Sequence, residues 1–183
     1  MNLYISRIPK STDWINYDLY TARKYIKNML FEKKELRQGW GFSTYDLRVD
    51  KESWVQQAMN NPMGADTQST GIRKYAEKRF SILSPMCSIE VGDIIIIPNV
   101  SKELLDDTSV FTIVTAASTY DFEDRSSFDE GYEKDFGHLI KIENIKCFSR
   151  NDFYINFGAY QKSFNRVHQQ KIKDYINKYY LEK

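Results

Sequence analysis

Apolar residues in the first half of the chain recur at the spacing of amphipathic helices. Beyond Asp18, a residue type suited to capping a helix, they fall at intervals of three and four positions: Leu19, Ala22, Ile26, Met29 and Leu30. The same spacing predicts a short helix from Asp50 to Met59 and a longer one that begins near Ser69 or Thr70 and ends at Ser84-Pro85. A last helix is predicted over about residues 168–181.

The second half of the chain is rich in β-branched and apolar runs that are typical of strands. Four isoleucines, Ile94 to Ile97, suit a strand that is buried on both faces. Helices ahead of closely spaced strands, with long inserts between them, predict an α+β fold with a small, partly closed β-barrel flanked by helices. The predicted strands are Leu3–Ile8, a strand or turn over 36–41, 94–97, Val110–Thr115, Thr119–Phe122 and 137–148.

Length and composition favour one domain over residues 1–183, with the barrel core at about 36–150. Hydrophobic residues form 42% of the chain, which is enough for a core and too much for a disordered segment. Two cysteines, Cys87 and Cys147, exclude a disulfide scaffold and favour a reducing compartment. Because the longest apolar run is Ile94–Ile97 and no signal peptide is evident, we expect a cytoplasmic protein without a membrane partner.

Charge is unevenly distributed although the formal net charge is only +1. Residues 23–37 carry six basic and two acidic side chains, and residues 161–183 carry the same numbers. Residues 71–79 carry four basic and one acidic side chain, whereas residues 103–135 carry ten acidic and two basic ones. Basic helices of this kind can line a polyphosphate backbone, and they are equally consistent with ordinary solvated helix faces.

Motifs for catalysis or metal binding are not evident in the sequence. His138 and His168 lie in no metal-ligand spacing, and the bulky Trp40 between its two glycines does not fit a phosphate-binding loop. Asp93 with Glu143 is a minority candidate for one Mg²⁺ ion in a small nuclease. We therefore expect a protein that is not an enzyme and that needs no cofactor or metal.

The aromatic residues carry more information, since the chain has three Trp, 13 Tyr and 11 Phe. Several of these rings stand beside Gly, Ser or Asp rather than at periodic core positions: Trp14, Trp40, Tyr45 and Tyr120. A flat heterocycle needs ring faces to stack on and a polar group to read its edge, which is what such pairs offer. The alternative is that these rings, like other aromatic residues of the chain, fill the barrel.

Five segments in series resemble the PUA-like superfamily, and most of all the EVE-like and YTH-like modules at the N-terminus of McrBC-type, modification-dependent restriction proteins. They are Arg37-Gln38-Gly39-Trp40-Gly41 with Asp46-Leu47-Arg48, Val91 to Pro98, Phe111-Thr112-Ile113, Tyr120-Asp121-Phe122, and Asp135 to His138 with the strand that follows. The resemblance covers about residues 36–148. It implies a PUA-like barrel that holds a modified base flipped out of double-stranded DNA, as part of a restriction or antiphage defence system.

Carried onto this chain, the resemblance assigns roles to individual residues. Trp40 is the first candidate for the wall of the base pocket, followed by Tyr120 and Tyr45 and then Trp14, and Asp46 could accept from an exocyclic amine. Arg37, Gln38 and Arg48 would hold phosphates or replace the extruded base in the stack. Further candidates for contact with the nucleic-acid backbone, from the basic stretch 71–79, are Arg73 and Lys74. Asp46 and Arg48 could equally bind each other at a turn, and His138 could be a hydrogen-bonded structural histidine.

The chain also departs from the full restriction proteins, because it contains no Walker-type motif for nucleotide hydrolysis. We therefore expect an excised domain, ending in the helix that includes Tyr175, or a subunit that works with a nucleotide-hydrolysing motor and a nuclease.

Three alternative functions keep the predicted architecture or the surface aromatic residues but change the ligand. They are a PUA-like RNA-binding module, a reader of unmodified DNA sequence through the major groove, and a protein-interaction domain whose surface aromatics dock a peptide.

Overall fold

The computed structural model describes residues 1–8, 24–39, 45–60, 71–103, 107–125, 127, 136–151, 155–157 and 164–182. The described part of the chain contains a seven-stranded sheet and four helices. The strands are β1 Leu3–Ser6, β2 Glu35–Gln38, β3 Ile94–Pro98, β4 Val110–Ala116, β5 Asp121–Phe122, β6 His138–Ser149 and β7 Phe164–Arg166. The fold is therefore α+β, as predicted.

The four helices differ in regularity. Two are regular α-helices, and two run into a wider π-helical turn. They are α1, residues 24–27 continued by Asn28–Glu32; α2, Lys51–Asn60; α3, Ile72–Leu83 followed by the 3₁₀ turn Ser84–Ser88; and α4, Gln170–Ile176 continued by Asn177–Leu181. No helix among the described residues combines the length and the apolar character that a membrane span needs.

Strand order in the sheet is β2-β6-β4-β3-β1-β7. Strand β5 pairs with β6 along the edge that also pairs with β4. Only the β1–β3 pair is parallel among the described pairs. The long strand β6 connects two parts of the sheet, because its first residues pair with β2 and β5 and its later ones with β4. A bulge at Asn144 and Ile145, with Asn144 at φ +49°, lies within the part of β6 that pairs with β4 and bends the strand.

The sheet curls into a half-barrel, and Gln38 helps to hold it closed. This residue ends β2 at one edge of the sheet, while β1 lies near the other edge. The Gln38 Nε2 atom nevertheless donates to Ser6 Oγ at 3.1 Å and to the Arg7 carbonyl at 3.0 Å. Both bonds are inside or at the border of the core, since Gln38 and Ser6 are fully buried. The predicted partly closed barrel is thus present as a curled sheet.

Apolar packing covers both faces of the central strands. Ile95 and Ile97 of β3 belong to the cluster that includes Trp54 of α2, whereas Ile94 and Ile96 belong to the cluster with Ile172 of α4. Because neighbouring side chains of a strand point to opposite faces, an all-isoleucine strand needs cover on both. Burial of each isoleucine stabilises the fold by about 1.5–3 kcal/mol. The prediction of a strand buried on both faces is confirmed.

Helix α2 forms where the spacing and its capping residue predict it, and helix α3 forms where the spacing predicts it, whereas the predicted caps Ser69 and Thr70 lie outside the described residues. The Asp50 carboxylate accepts from the Ser53 backbone N–H at 3.0 Å, which satisfies a free donor in the first turn of α2. Trp54, Val55 and Ala58 are the buried face of that helix. Helix α3 follows Gly71, whose φ of +76° is unfavourable for residues with a side chain.

Other boundaries differ modestly from prediction. Strand β1 ends at Ser6 rather than Ile8, and the predicted strand Thr119–Phe122 is reduced to the two residues of β5. Strand β7 was not predicted at all. The helix that was predicted from Asp18 is described from residue 24 onward, and its start lies outside the described residues.

Candidate functional site

Four of the residues predicted for ligand binding lie together at one end of the sheet. Tyr45, Asp46 and Arg48 belong to the loop that enters α2, and Tyr120 immediately precedes β5. Pairing of Phe122 with His138 brings the start of β6 to the same place. We call Asp46, Arg48, Cys87, Tyr120 and His138 the Tyr120 cluster. Its members come from four separate segments, so the tertiary fold alone assembles it.

Hydrogen bonds in the cluster converge on the Tyr120 hydroxyl. The Leu47 backbone N–H donates to this hydroxyl at 3.2 Å, and the hydroxyl donates to Asp46 Oδ1 at 3.3 Å. His138 Nδ1 lies 2.9 Å from the same oxygen. If the hydroxyl proton points to Asp46, the Nδ1–H tautomer of His138 can donate to the tyrosine oxygen. The fully buried His138 thus has the structural role that the sequence left open.

Burial and charge set the ionisation of the cluster. Burial raises the pKa of the Tyr120 hydroxyl far above its ordinary value of 10.0, so the hydroxyl stays protonated. For Asp46, burial acts to raise the pKa, but hydrogen bonds and charge from Arg48 outweigh it, and the pKa is lower than usual. The cluster therefore presents a neutral phenol next to an ionised carboxylate at neutral pH.

Arg48 covers the ring of Tyr120. Its guanidinium carbon lies 5.7 Å from the ring centroid, and its Nη2 is 2.5 Å from Asp46 Oδ2. A second carboxylate oxygen, Asp121 Oδ1, lies 3.6 Å from Arg48 Nη1. The Arg48 side chain is 55% exposed, whereas Tyr120 is only 6% exposed. Tyr120 thus packs within the core. The pocket prediction expects a ring that is open to solvent, and the ring of Tyr120 is not open to solvent.

Tyr45 lies at the border between this site and the core. Its ring meets Trp54 edge to face, with the ring centroids 6.3 Å apart, and its carbonyl accepts from Trp54 Nε1 at 3.1 Å. Trp54 is fully buried, so it anchors the loop to α2. Tyr45 is half-buried, and a part of it remains at the surface.

The two backbone-contact candidates on β2 have structural contacts instead. Arg37 forms ion pairs at 2.6 Å with Glu35 and with Glu123, and it donates to the Phe136 carbonyl at 2.8 Å. Its side chain is only 8% exposed. Gln38 is fully buried in the bonds that close the half-barrel. A phosphate could reach either side chain only after these contacts break.

The other backbone-contact candidates lie on the surface of α3. Lys74 is exposed. Arg73 is about half exposed and pairs with Glu52 at 2.7 Å and with Glu77 at 3.2 Å. Ion pairs of this kind are weak in water, so Arg73 can exchange its partners for a phosphate at small cost.

Two predicted pocket residues, Trp14 and Trp40, lie outside the described residues. The described residues on either side of the Trp40 segment are close to the Tyr120 cluster. On one side Gln38 pairs with His138, and on the other Tyr45 adjoins Asp46. The role of Trp40 in a pocket wall thus stays a prediction.

Asp93, a candidate ligand in the minority prediction of a metal site, has a structural role instead. This buried carboxylate accepts from the backbone N–H of Asn2 at 2.5 Å and from that of Glu90 at 3.1 Å. Glu143 is exposed on β6. Across the described residues, no group of three or more His, Cys, Asp or Glu side chains could hold a metal ion. Asp93 therefore joins β1 to the turn before β3.

Cys87 and Asp121 are members of the site that sequence reasoning missed as binding residues. Asp121 could have been found, because it directly follows Tyr120. Cys87 is distant in sequence from its neighbours, and no sequence pattern pointed to it.

No protein-family model matches the chain, and no curated protein matches it in sequence.

Proposed function

We propose that this protein is a non-catalytic DNA-binding specificity module of the PUA-like, EVE-like type, which reads a modified base flipped out of a duplex. One observation carries the proposal. Residues chosen from the sequence as base-pocket and backbone contacts, Asp46, Arg48 and Tyr120, meet in a single hydrogen-bonded cluster, and Tyr45 lies at its border. The curled half-barrel with flanking helices is consistent with a PUA-like fold.

The chemistry of the cluster suits a nucleobase. The ring of Tyr120 would provide a stacking face where Arg48 now covers it, and the ionised carboxylate of Asp46 would accept hydrogen bonds from a base edge. Stacking on an aromatic ring contributes about 1–3 kcal/mol per base, which offsets the few kcal/mol that flipping costs. A methyl group on the base would add about 1 kcal/mol of apolar contact.

Positive charge near the cluster supports contact with a duplex. Arg48 lies at its surface, and Arg73 and Lys74 are exposed on α3. Each phosphate that such a side chain neutralises releases counterions and strengthens binding at low salt. Because the sequence has no nucleotide-hydrolysing motif, cleavage of DNA would fall to a partner motor and nuclease in a cytoplasmic defence system.

Fluorescence anisotropy with labelled duplexes tests the proposal. The duplexes share one sequence and carry unmodified bases, 5-methylcytosine, 5-hydroxymethylcytosine or N6-methyladenine. We expect one modified duplex to bind about tenfold or more tightly than the unmodified one. RNA of matched sequence should compete poorly. If no duplex binds above the non-specific background, the proposed function is wrong, and preferential competition by RNA would favour the RNA-binding alternative.

Trp40→Ala is the variant that separates base reading from backbone binding. Stacking and charge contribute independently, so this variant should lose discrimination between duplexes and keep the weak binding to all of them. Tyr179→Ala, which removes an exposed ring from the helical end of the chain, is the matched control and should behave as the wild type. Discrimination that survives Trp40→Ala would remove Trp40 from the pocket.

A further inference from the structure

Arg48 occupies the place on Tyr120 that a stacked base would need. Its guanidinium lies over the ring, and the ring has almost no other exposure, since Tyr120 is 6% exposed. The guanidinium is held there by Asp46 and, at a longer distance, by Asp121. Part of the cover over Tyr120 is therefore a single side chain from a surface loop.

This cover lies at the surface. Arg48 is 55% exposed and Asp121 is 64% exposed, so water screens the longer ion pair. The pair with Asp46, which is 24% exposed, is closer, and the amine of a bound base has to replace it. The cation–π contact is long and also open to water. His138 and the Leu47 backbone, by contrast, hold Tyr120 in position from the buried side. Arg48 can thus leave while the ring and the carboxylate of Asp46 stay where they are.

A guanidinium and an amino-bearing base have features in common. Both are flat, delocalised groups that stack on a ring and present N–H donors at an edge. Asp46 and Asp121 accept such donors. Thymine and uracil carry a carbonyl oxygen in place of the exocyclic amine. That oxygen has no proton to donate to a carboxylate, so the two acceptors repel each other. The carboxylates thus favour bases with an exocyclic amine, which are cytosine, adenine and guanine and their derivatives.

We propose that Arg48 is a resident stand-in for the base: it stacks on Tyr120 and binds Asp46 in the free protein, and a base with an exocyclic amine displaces it from both. The proposal rests on the proposed function and adds a specificity-determining residue to it. Arg48 competes with the ligand for one place, and Asp46 supplies the preference for an amine.

Free deoxynucleosides test the competition without any contribution from phosphates. Titrations of deoxycytidine, 5-methyldeoxycytidine, N6-methyldeoxyadenosine and thymidine are followed by NMR in the wild type and in Arg48→Ala. Removal of the competitor should tighten binding of the best amino-bearing nucleoside by about threefold or more, and Arg48→Gln should act in the same direction. Lys102→Ala, at the opposite end of β4 from Tyr120, should leave the affinity unchanged. Unchanged or weaker binding by both Arg48 variants overturns the proposal.

Asp46→Asn tests the origin of the amine preference. An amide can both donate and accept, so in the Arg48→Ala background this change should bring the affinity ratio of the amino-bearing nucleoside to thymidine close to one. Asp174→Asn on α4 is the control and should leave the ratio unchanged. A ratio that persists in Asp46→Asn contradicts the role of Asp46.

The outcomes separate this proposal from the proposed function. If wild-type protein discriminates between modified duplexes while the Arg48 and Asp46 variants behave as their controls, the stand-in proposal alone fails. If no variant binds any nucleoside or discriminates between duplexes, both fail. A trimethyl-lysine or arginine peptide that binds better than every nucleoside would show that the ring and carboxylates serve a cationic side chain, and it would also overturn the proposal.

Discussion

Glu35 is a nearly buried carboxylate that keeps its negative charge because cations surround it. Burial alone would raise its pKa, but hydrogen bonds and charges from Lys141 and Arg37 outweigh burial and lower the pKa below 4.5. Arg37 in turn bonds to Glu123. The outer face of β2 thus carries a linked set of charges that stabilises the fold rather than binding a ligand.

Glu35→Gln should destabilise the fold at neutral pH by about 2 kcal/mol, since it weakens a charged pair with little exposure. Because the pKa of Glu35 is lower in the folded state than in the unfolded state, its ionised carboxylate stabilises the fold above pH 4.5. This stabilisation is lost as the pH falls through the pKa of the folded state. Urea unfolding from pH 7 to pH 3 measures it. Glu52→Gln, which breaks an exposed pair with Arg73, should cost under about 1 kcal/mol. Equal losses in both variants would contradict the role of Glu35.

Cys87 offers a chemical probe of the site. The residue is exposed, yet desolvation of its thiol and the charge of Asp46 raise the thiol pKa to about 11, while Arg48 acts to lower it. In a Cys147→Ser background, Asp46→Asn should therefore speed iodoacetamide alkylation of Cys87 at pH 8, and Arg48→Gln should slow it. A pKa change of half a unit corresponds to about threefold in rate. Changes of the same sign in both variants would show that the cluster is assembled differently.

Strand β2 is short, and its four side chains divide their work between its two faces. Glu35 and Arg37 point outward into the charged set, while Leu36 and Gln38 are buried. Leu36 packs in the core, and Gln38 reaches β1. Strand β2, which precedes the candidate site in the chain, is therefore fixed on both faces.

Gln38→Met should remove the hydrogen bonds that close the half-barrel while keeping the volume of the side chain. The Arg7 carbonyl and the Ser6 hydroxyl then lose a donor in a buried place, at a cost of about 1–3 kcal/mol. Chemical unfolding of the purified protein measures the loss. Gln56→Met, on the exposed face of α2, is the matched control and should change stability by under about 0.5 kcal/mol. A stable Gln38→Met variant would show that packing alone curls the sheet.

Elements whose own residues carry the signal could be predicted from the sequence. Asp50 caps α2 and Trp54 marks its buried face, and both are visible in the chain itself. Strand β7 could not be predicted, because three residues with a single buried Phe164 gain their structure from pairing with β1. Gln38 looked like a surface residue, since nothing local indicates that its amide finds partners across the barrel.

The candidate site shows the same limit. Asp46 and Tyr120 could be chosen by residue type, but the bond between them joins positions 74 residues apart. Burial of Tyr120 follows from its place in the core cluster beside Leu47, which a single sequence does not reveal. Residue type could thus point to Asp46 and Tyr120, but it failed to predict that the ring of Tyr120 is buried.

For the molecule as a whole, the near-zero net charge conceals basic residues on helices at both faces of the sheet. Helices α2 and α3 pack against one face of the sheet and α4 against the other. Arg73 and Lys74 are on the α3 side, and Lys171 and Lys173 are on α4. The salt dependence of the proposed DNA binding would identify which face makes the contact.

Arg73→Ala and Lys74→Ala should each weaken binding to all duplexes to a similar degree. Each lost phosphate contact reduces the slope of log K against log salt by about 0.9. Anisotropy titrations at several salt concentrations measure the slope. Lys171→Ala on the opposite face should leave it unchanged, and a reversed pattern would place the duplex on the α4 side.

Strand β1 lies between β3 and β7, so the sheet joins segments from near both ends of the described chain. Tyr4 pairs with Ile95 on one side and with Arg166 on the other. During synthesis, the amide and carbonyl groups of β1 that face β7 have no strand to pair with until residue 166 has left the ribosome. Such long-range pairing slows folding, and it makes an incomplete chain prone to β-strand association with its neighbours until β7 is added.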